Sequence, residues 1–424
     1  MTERPIQTLY TLIMAASVCV ALLSGCDQNN RGLQQKLSVV VREGLEANGI
    51  RRVAEEWGKR RGVNVVVDAL GRSTYETVTK ATLQSTSPNY DVVFFPGTEV
   101  AEMAEKSVLD PIRNWTAAAD PDLLAVPEYK GIVYALPCDI STFFTFYRRD
   151  VVRELPETWA DLERMAPTWV SKPGTPGRIK YGLAFSGQAG EELPKIFYPI
   201  LWSYGGYVIN DGNIGIESPE AVAAADQFRR LAKSPAVPAE IETWNALKIL
   251  DEWKAGTIAY SAPQWNALYP LIKDSSDPSS TFLDIAQLPG VRQQDGSIRR
   301  SNFIQTWVLV KPKMGGRLDL ANDFILFATG QDGARLYAES ERGNPARTSI
   351  LSDSALQQRR PEFDLMLSSI RIAQAEPVVP YYSSLHQVMN EALGRIIATS
   401  DDPKLILSAA ARNIRTIMTP TTAK

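Results

Sequence analysis

Histidine is almost missing: His386 is the only one among 424 residues. Cysteine is scarce, with Cys19, Cys26 and Cys138 making up the three. Imidazole and thiolate are the usual zinc ligands, so these counts argue against a structural zinc site. Only Cys138 lies in the body of the chain, which excludes a disulfide framework there. It reads as a buried structural thiol, with a nucleophile as the alternative. His386, beyond Tyr381 and Tyr382 at an expected helix start, reads as a structural histidine before it reads as a catalytic base. Charge of one sign is also missing. Forty-five Lys and Arg face 48 Asp and Glu, mixed along the chain, for a net charge of −3. No basic stripe is left to attract nucleic acid. There is no G-x-S-x-G elbow, no H-E-x-x-H pair and no complete G-x-x-x-x-G-K-[ST] loop. No cofactor is expected. A glycoside hydrolase needs only two opposed carboxylates, and composition does not exclude that.

Long apolar runs are missing after residue 25, so no later segment reaches a membrane span. The mature body is expected to be soluble. The one apolar run lies at the front, from Leu12 to Leu23, behind Arg4 and ahead of the small residues Ser24 and Gly25. Its length suits the core of a secretory signal and is short for a span, although a single transmembrane helix ending at Cys26 is the alternative. The stretch LLSGCDQNN, residues 22–30, then turns abruptly polar. Its LSGC resembles the lipobox of bacterial lipoprotein precursors. That resemblance implies cleavage before Cys26, lipid on Cys26, a signal over 1–25 and a tether over 26–36. Asp27 resembles an inner-membrane retention signal of bacteria with two membranes. The expected location is extracytoplasmic, anchored to the membrane and facing the periplasm or exterior.

The body alternates strand and helix. KLSVVV, 36–41, VNVVVDAL, 63–70, and YDVVFFPG, 90–97, read as buried strands. Residues 46–61 and 74–85 read as the helices between them. This rhythm predicts an α/β lobe with a mainly parallel sheet. Ligands of such sheets lie beyond the carboxyl ends of the strands. Glu43, Gly44, Arg72, Ser73, Thr98 and Glu99 are therefore candidates, each otherwise an ordinary loop residue.

Residues 131–149, rich in aromatic and β-branched side chains, read as strands feeding a change of lobe. Residues 156–166 open a helix. ESPEAVAAADQFRRLA, 217–232, is a helix with Ser218 as cap, Pro219 in the first turn and Glu220 on the helix dipole. Residues 244–272 read as helix, short strand, turn, helix. Residues 282–290 read as strand and turn. TWVLVKP, 306–312, is another buried strand, 318–329 and 331–339 are helices, and 341–349 is a loop. Later helices are expected near 385–398 and 403–418, with 419–424 a flexible tail.

Several segments in order resemble the sugar-binding group of solute-binding proteins of bacterial ABC importers, which includes maltose-binding protein. They include YDVVFFPG, KSVLDPI with Ser107 in place of the usual glycine, GIVYALPCDISTFFTFYRRDVV, PETWADL and LWSYGGYV. KAGTIAYSAPQWNAL, AQLPG, ANDFILFATGQDGARLY and GNPARTS complete the set. The resemblance implies a periplasmic-binding-protein-like α/β fold of two lobes with the ligand in the cleft between them. Residues 37–147 and 303–350 would form lobe 1, and 148–302 and 351–418 lobe 2.

Sugars present hydroxyls around faces of C–H bonds, so a receptor needs flat aromatic surfaces and convergent polar groups. Nine tryptophans and fifteen tyrosines suffice for both, although Trp57 and Trp159 sit in helical patterns that suit the core. At positions where the family places its ligand loops, Trp265 at an expected helix start is a stacking candidate and Gln264 a hydroxyl partner. Trp202 and Tyr204 precede Gly205 and Gly206, whose backbone can approach a ligand closely. Asn302 and Trp307 lie near the return between lobes. Asp139 is an acceptor candidate and Arg347 a planar donor. The resemblance implies a monomeric, non-enzymatic receptor that closes on a carbohydrate and docks on ABC permease subunits, held near them by lipid. The alternatives are the same fold binding a polyamine, phosphate ester or iron, a secreted glycoside hydrolase, or a protein-binding surface lipoprotein.

Overall fold

A computed structural model describes residues 35–172, 174–175, 178–340 and 343–419. The expected signal, nearly all of the tether with Cys26, and residues 420–424 lie outside the described residues. Strand β1 (Lys36–Arg42) leads into helix α1 (Leu45–Arg61), β2 (Asn64–Leu70), α2 (Arg72–Gln84) and β3 (Val92–Pro96). The long strand β4 (Ala135–Arg148) follows, then α3 (Trp159–Met165), α4 (Leu193–Tyr204), α5 (Pro219–Ala232) and α6 (Ala246–Lys254). Next come β5 (Tyr260–Trp265), β6 (Leu283–Ala286), β7 (Asn302–Val310), α7 (Leu318–Thr329) and α8 (Gln331–Ala338). The chain ends with α9 (Glu362–Ile370), α10 (Tyr382–Ala398) and α11 (Pro403–Met418). Shorter turns of helix and two-residue strands join these elements.

The strands lie in the order β6–β4–β7–β3–β1–β2, with β5 also paired to β4. Pairing is parallel among β1, β2 and β3. It is antiparallel wherever β4 and β7 meet β3, β5, β6 or each other. The mainly parallel sheet expected from the strand–helix rhythm thus describes only β1–β3. The reason lies in β4 and β7. Residues Ala135 to Thr142 of β4 pair with β7, and Phe143 to Tyr147 pair with β5. A strand of fourteen residues therefore leaves one group of strands and enters another. All nine residues of β7 are buried, Asn302, Gln305 and Thr306 among them, and the run from Trp307 to Val310 is continuously apolar, as suits a strand covered on both faces.

Helices α1, α7 and α8 pack together beside β1 and β2. Trp57 of α1 meets Phe324 of α7 edge-on at 5.3 Å, and its indole N–H donates to Asp323 at 3.0 Å. Helix α10 packs on α4, α5 and α11 in the other lobe. Trp159 is buried there, with its N–H on the Ser203 hydroxyl at 3.0 Å.

The local signals hold. Ser218 caps α5 by accepting from the Ala221 amide at 3.2 Å, with Pro219 in the first turn. Thr158 and Asp161 form a reciprocal capping box at α3. Two local expectations change. Trp265 is the last residue of β5 and does not start a helix. The strand expected from Thr306 begins at Asn302, because the polar side chains at its start are taken up inside the sheet crossing. Among the described residues no helix is long and apolar enough to cross a membrane.

Candidate functional site

The carboxyl ends of β1 and β3 and the amino end of α2 face the segment 188–192, β5 and α10 across a crevice. The crevice has two chambers. The larger, about 550 Å³, lies between Arg42, Glu43 and Arg72 on one side and Glu192, Leu247 and Trp265 on the other. Ser141 and Gln305, neighbours in the β4–β7 register, also line it. The smaller, about 350 Å³, lies between α2 and α10 and is lined by Tyr75, Thr98, Glu99, Tyr382 and His386 among others. Trp307, Arg42, Arg72 and Glu191 border both chambers.

Charge is organised around that shared border. Arg42 lies over the Trp307 ring at 4.3 Å and pairs with Glu46 one turn away. Trp307 also stacks on Phe94, with ring centroids 5.1 Å apart and nearly parallel planes. Arg72 of α2 pairs with Glu191, which also receives Lys195 Nζ at 3.1 Å. The nearby Lys195 charge holds the Glu191 carboxyl far below the ordinary carboxylate range, against the opposing effect of burial. Lys195 Nζ also donates to Gln305 Oε1 at 3.3 Å. Because a lysine only donates, this contact fixes which way the Gln305 amide points. Lys80 pairs with Glu99 at 2.8 Å on the far side of the smaller chamber. A second contact between the facing walls joins the Ser383 hydroxyl to Glu102 at 2.6 Å. Such a crevice can bind a polar molecule of a few hundred Å³ on an aromatic and aliphatic wall. Among the described residues no group of three or more His, Cys, Asp and Glu is placed to hold a metal.

A crevice between two lobes joined by crossing strands has known counterparts. The model of the bacterial extracellular solute-binding protein family matches residues 43–334, well over half of the chain. The chain belongs to this family. A maltooligosaccharide ABC transporter solute-binding lipoprotein of Streptococcus pneumoniae is 29% identical over 165 residues, 38% of this chain and 37% of that protein. The match thus spans under two fifths of that relative's length. Two solved structures share the two-lobe fold. One is maltose-bound MalE3 of T. maritima, with a TM-score of 0.75 and 21% identity, covering 90% of this chain and 100% of the other. The second is a solute-binding protein of Thermotoga lettingae bound with α-D-tagatose, with a TM-score of 0.76 and 20% identity, covering 90% and 99%.

In this solute-binding protein, seven of the candidates line the crevice: Glu43, Gly44, Arg72, Thr98, Glu99, Trp265 and Trp307. Trp265 rests on Phe143, ring centroids 4.2 Å apart, and meets Phe303 in a T-shaped contact. Ser73 is exposed in the first turn of α2, beside Arg72 but outside the lining.

The other candidates lie elsewhere. Asp139 is buried and accepts from the Tyr337 hydroxyl at 2.9 Å and the Asn344 amide at 3.0 Å. Burial, reinforced by the Glu46 charge, pushes its carboxyl up to about 8. Asn302 is buried at the strand crossing, where it donates to Phe143 O at 2.8 Å and accepts from Phe143 N at 3.2 Å. Gln264 is fully buried, its oxygen on the Trp265 amide at 3.1 Å. Arg347 is buried against Asp120, Asp122 and the Thr329 carbonyl. Trp202 stacks on Tyr198 and Phe303, and the Tyr204 hydroxyl pairs with Gln227 at 3.2 Å. Gly205 ends α4 in the left-handed conformation at φ 89°, and Gly206 fits closely against Leu201 and Ala221. Trp202 and both glycines border a separate recess.

Cys138 is buried, its thiol pushed well above its ordinary value by burial, as suits a structural thiol. Sequence reasoning passed over Arg42, Ser141, Glu191, Lys195, Leu247 and Gln305. The spacing of Glu191 and Lys195 was the available signal, since i and i+4 are the positions at which helical ion pairs form.

Proposed function

We propose that this solute-binding protein is the receptor of an ABC importer for a carbohydrate, a mono- or oligosaccharide. It binds the sugar in the crevice and performs no chemistry on it. The observation that carries this reading is the pairing of Trp265 and Trp307 with a ring of charged hydrogen-bonding groups in one interlobe crevice. Aromatic faces suit C–H surfaces of sugars, and the polar ring suits their hydroxyls. The similar proteins support it, since one is a maltooligosaccharide transporter's solute-binding lipoprotein and two were solved with maltose and with tagatose bound. Lobe 1 is proposed as 37–147 with 303–350, and lobe 2 as 148–302 with 351–418. Contacts to both lobes favour the closed population, which a permease then reads. The receptor acts as a monomer outside the cytoplasm, tethered through lipid on Cys26.

The test is a thermal-shift screen of the mature chain against sugars, polyols and polyamines, followed by titration calorimetry. A saturating ligand raises the midpoint by linkage. The carbohydrate reading requires sugars to be the strongest hits, and a response to polyamines alone would replace it. Trp265→Ala removes the open aromatic platform and is expected to weaken binding about tenfold, from the worth of roughly 0.5–1.5 kcal/mol for such a contact and the area lost with it. The same calorimetry reads that change.

A further inference from the structure

The two walls of the larger chamber differ in chemistry. The lobe that carries β1 contributes Arg42, Glu43, Glu46 and Arg72. The facing wall carries polar Gln188, Glu191, Glu192 and Asn245 in one part, and around Trp265 an aliphatic patch of Leu247, Leu268 and Leu271 with Ala246 and Ala267. Leu247 is 66% exposed, which is far from its neighbours Ile249 and Leu250 in the same helix, both buried. It sits in the first turn of α6 behind the Asn245 cap, so the backbone holds it at the lip. Large exposed apolar side chains elsewhere, such as Met314 and Leu405, line neither chamber. Leu247 instead continues a wall that already faces a ligand-sized space.

Hydroxyl-rich rings are recognised by aromatic faces and polar groups, and the chamber offers both near Trp265 and Trp307. Leucine side chains give a hydroxyl nothing to bond with, and a polar group pressed on them is desolvated without compensation. They favour alkyl surface. We propose that the ligand is a sugar bearing an apolar substituent, an alkyl or aryl aglycone or a comparable ether, whose apolar end lies on Leu247, Leu268 and Leu271. This rests on the carbohydrate reading and sharpens it to a substrate class. The sugar ring sits inward, between Trp265 and the polar wall. The substituent points to the lip, where its outer end stays in reach of solvent.

The test uses titration calorimetry on the mature chain with methyl and n-hexyl glycosides of glucose, galactose and maltose, below micelle-forming concentrations. If half of the added methylenes are buried, the hexyl member of a binding pair is tighter by about thirtyfold. Leu247→Gln and, separately, Leu271→Gln are expected to pull that ratio toward one, and the circular-dichroism spectrum of each variant checks its fold. A ratio near one in the native chain overturns the aglycone site and leaves the carbohydrate reading standing. A high ratio that neither variant lowers also overturns it, because the gain then arises elsewhere. Binding of none of the glycosides overturns both readings.

Discussion

The Asp139 carboxylate has two donors on one oxygen, yet its charge is unwelcome where it sits. The Tyr337 hydroxyl and the Asn344 amide both reach Oδ2, while burial and the Glu46 charge push the group up to about 8. An unfolded aspartate titrates near 3.9. The folded chain therefore holds the extra proton between those two values. Stability falls as pH rises through that window, and the loss is complete above about 8. Urea unfolding at pH 5 and pH 8 is expected to show the native chain weaker at pH 8 by on the order of 4 kcal/mol from this group. Asp139→Asn, neutral at both values, is expected to flatten that difference while leaving sugar affinity within twofold. The period of two along β4 places Asp139 on the same strand face as Ser141, which does line the crevice. Strand alternation thus identifies the face. It carries no information about the covering layer, here Tyr337 and Asn344, which arrive from about two hundred residues away in sequence. Arg347 is the same case: a planar donor near the right loop, already committed to Asp120 and Asp122.

Among elements, β4 and β7 decide the architecture, and Asn302 fastens them where the partners change. Its side chain mimics a strand neighbour, donating to the Phe143 carbonyl and accepting from the Phe143 amide. Phe143 is also where β4 takes up Trp265 of β5. Asn302→Ala leaves that carbonyl and amide without these partners in a dry place. The expected cost is about 2–4 kcal/mol, two unmet buried groups at roughly 1–2 each, read as a lowered urea midpoint. Asn302→Asp is expected to be worse, since a carboxylate cannot donate to the carbonyl. Periodicity and caps made most helices legible, because a cap or an apolar stripe is written in neighbouring residues. Helix α7 at Leu318–Thr329 and α11 at Pro403–Met418 carry their own boundaries in this way. Strand direction is different. KLSVVV and TWVLVKP are equally apolar, yet one pairs in parallel and the other antiparallel. Nothing within seven residues encodes which neighbour will arrive. The site was legible to a similar depth: Trp265 and Trp307 came from loop position, whereas Lys195 and Gln305 meet only after α4 docks on β7.

On the scale of the whole molecule, several polar contacts cross the crevice from one wall to the other, Tyr382 to Thr98 among them. Arg72 reaches Glu191, and Ser383 reaches Glu102. All belong to the geometry in which the walls face each other closely, so all bias the chain toward that geometry before any ligand arrives. The Arg72–Glu191 pair is half-exposed, which limits it to at most about 1 kcal/mol. In a two-state equilibrium that is a shift of up to roughly fivefold in the closed-to-open ratio. Removing it with Arg72→Ala is expected to enlarge the ligand-free radius of gyration in solution scattering, and to leave the sugar-saturated radius near the native value. Arg72→Ala also removes a side chain from the crevice wall, so affinity alone would not separate closure from lost contact. The ligand-free radius does, because no ligand contact enters it. Glu191→Gln breaks the same pair from the other side and is expected to open the empty receptor similarly, with Arg72→Ala and Glu191→Gln together adding little. The Lys195 charge keeps Glu191 ionised well below the ordinary carboxylate range. Its contribution is therefore fully present above that range and fades only as pH falls through the depressed value. The native radius should stay constant between pH 5 and 8, and move toward the Arg72→Ala value at high salt, where a half-exposed pair is screened. A ligand-free radius that ignores both substitutions would mean that the Arg72–Glu191 pair does not set the angle between the lobes.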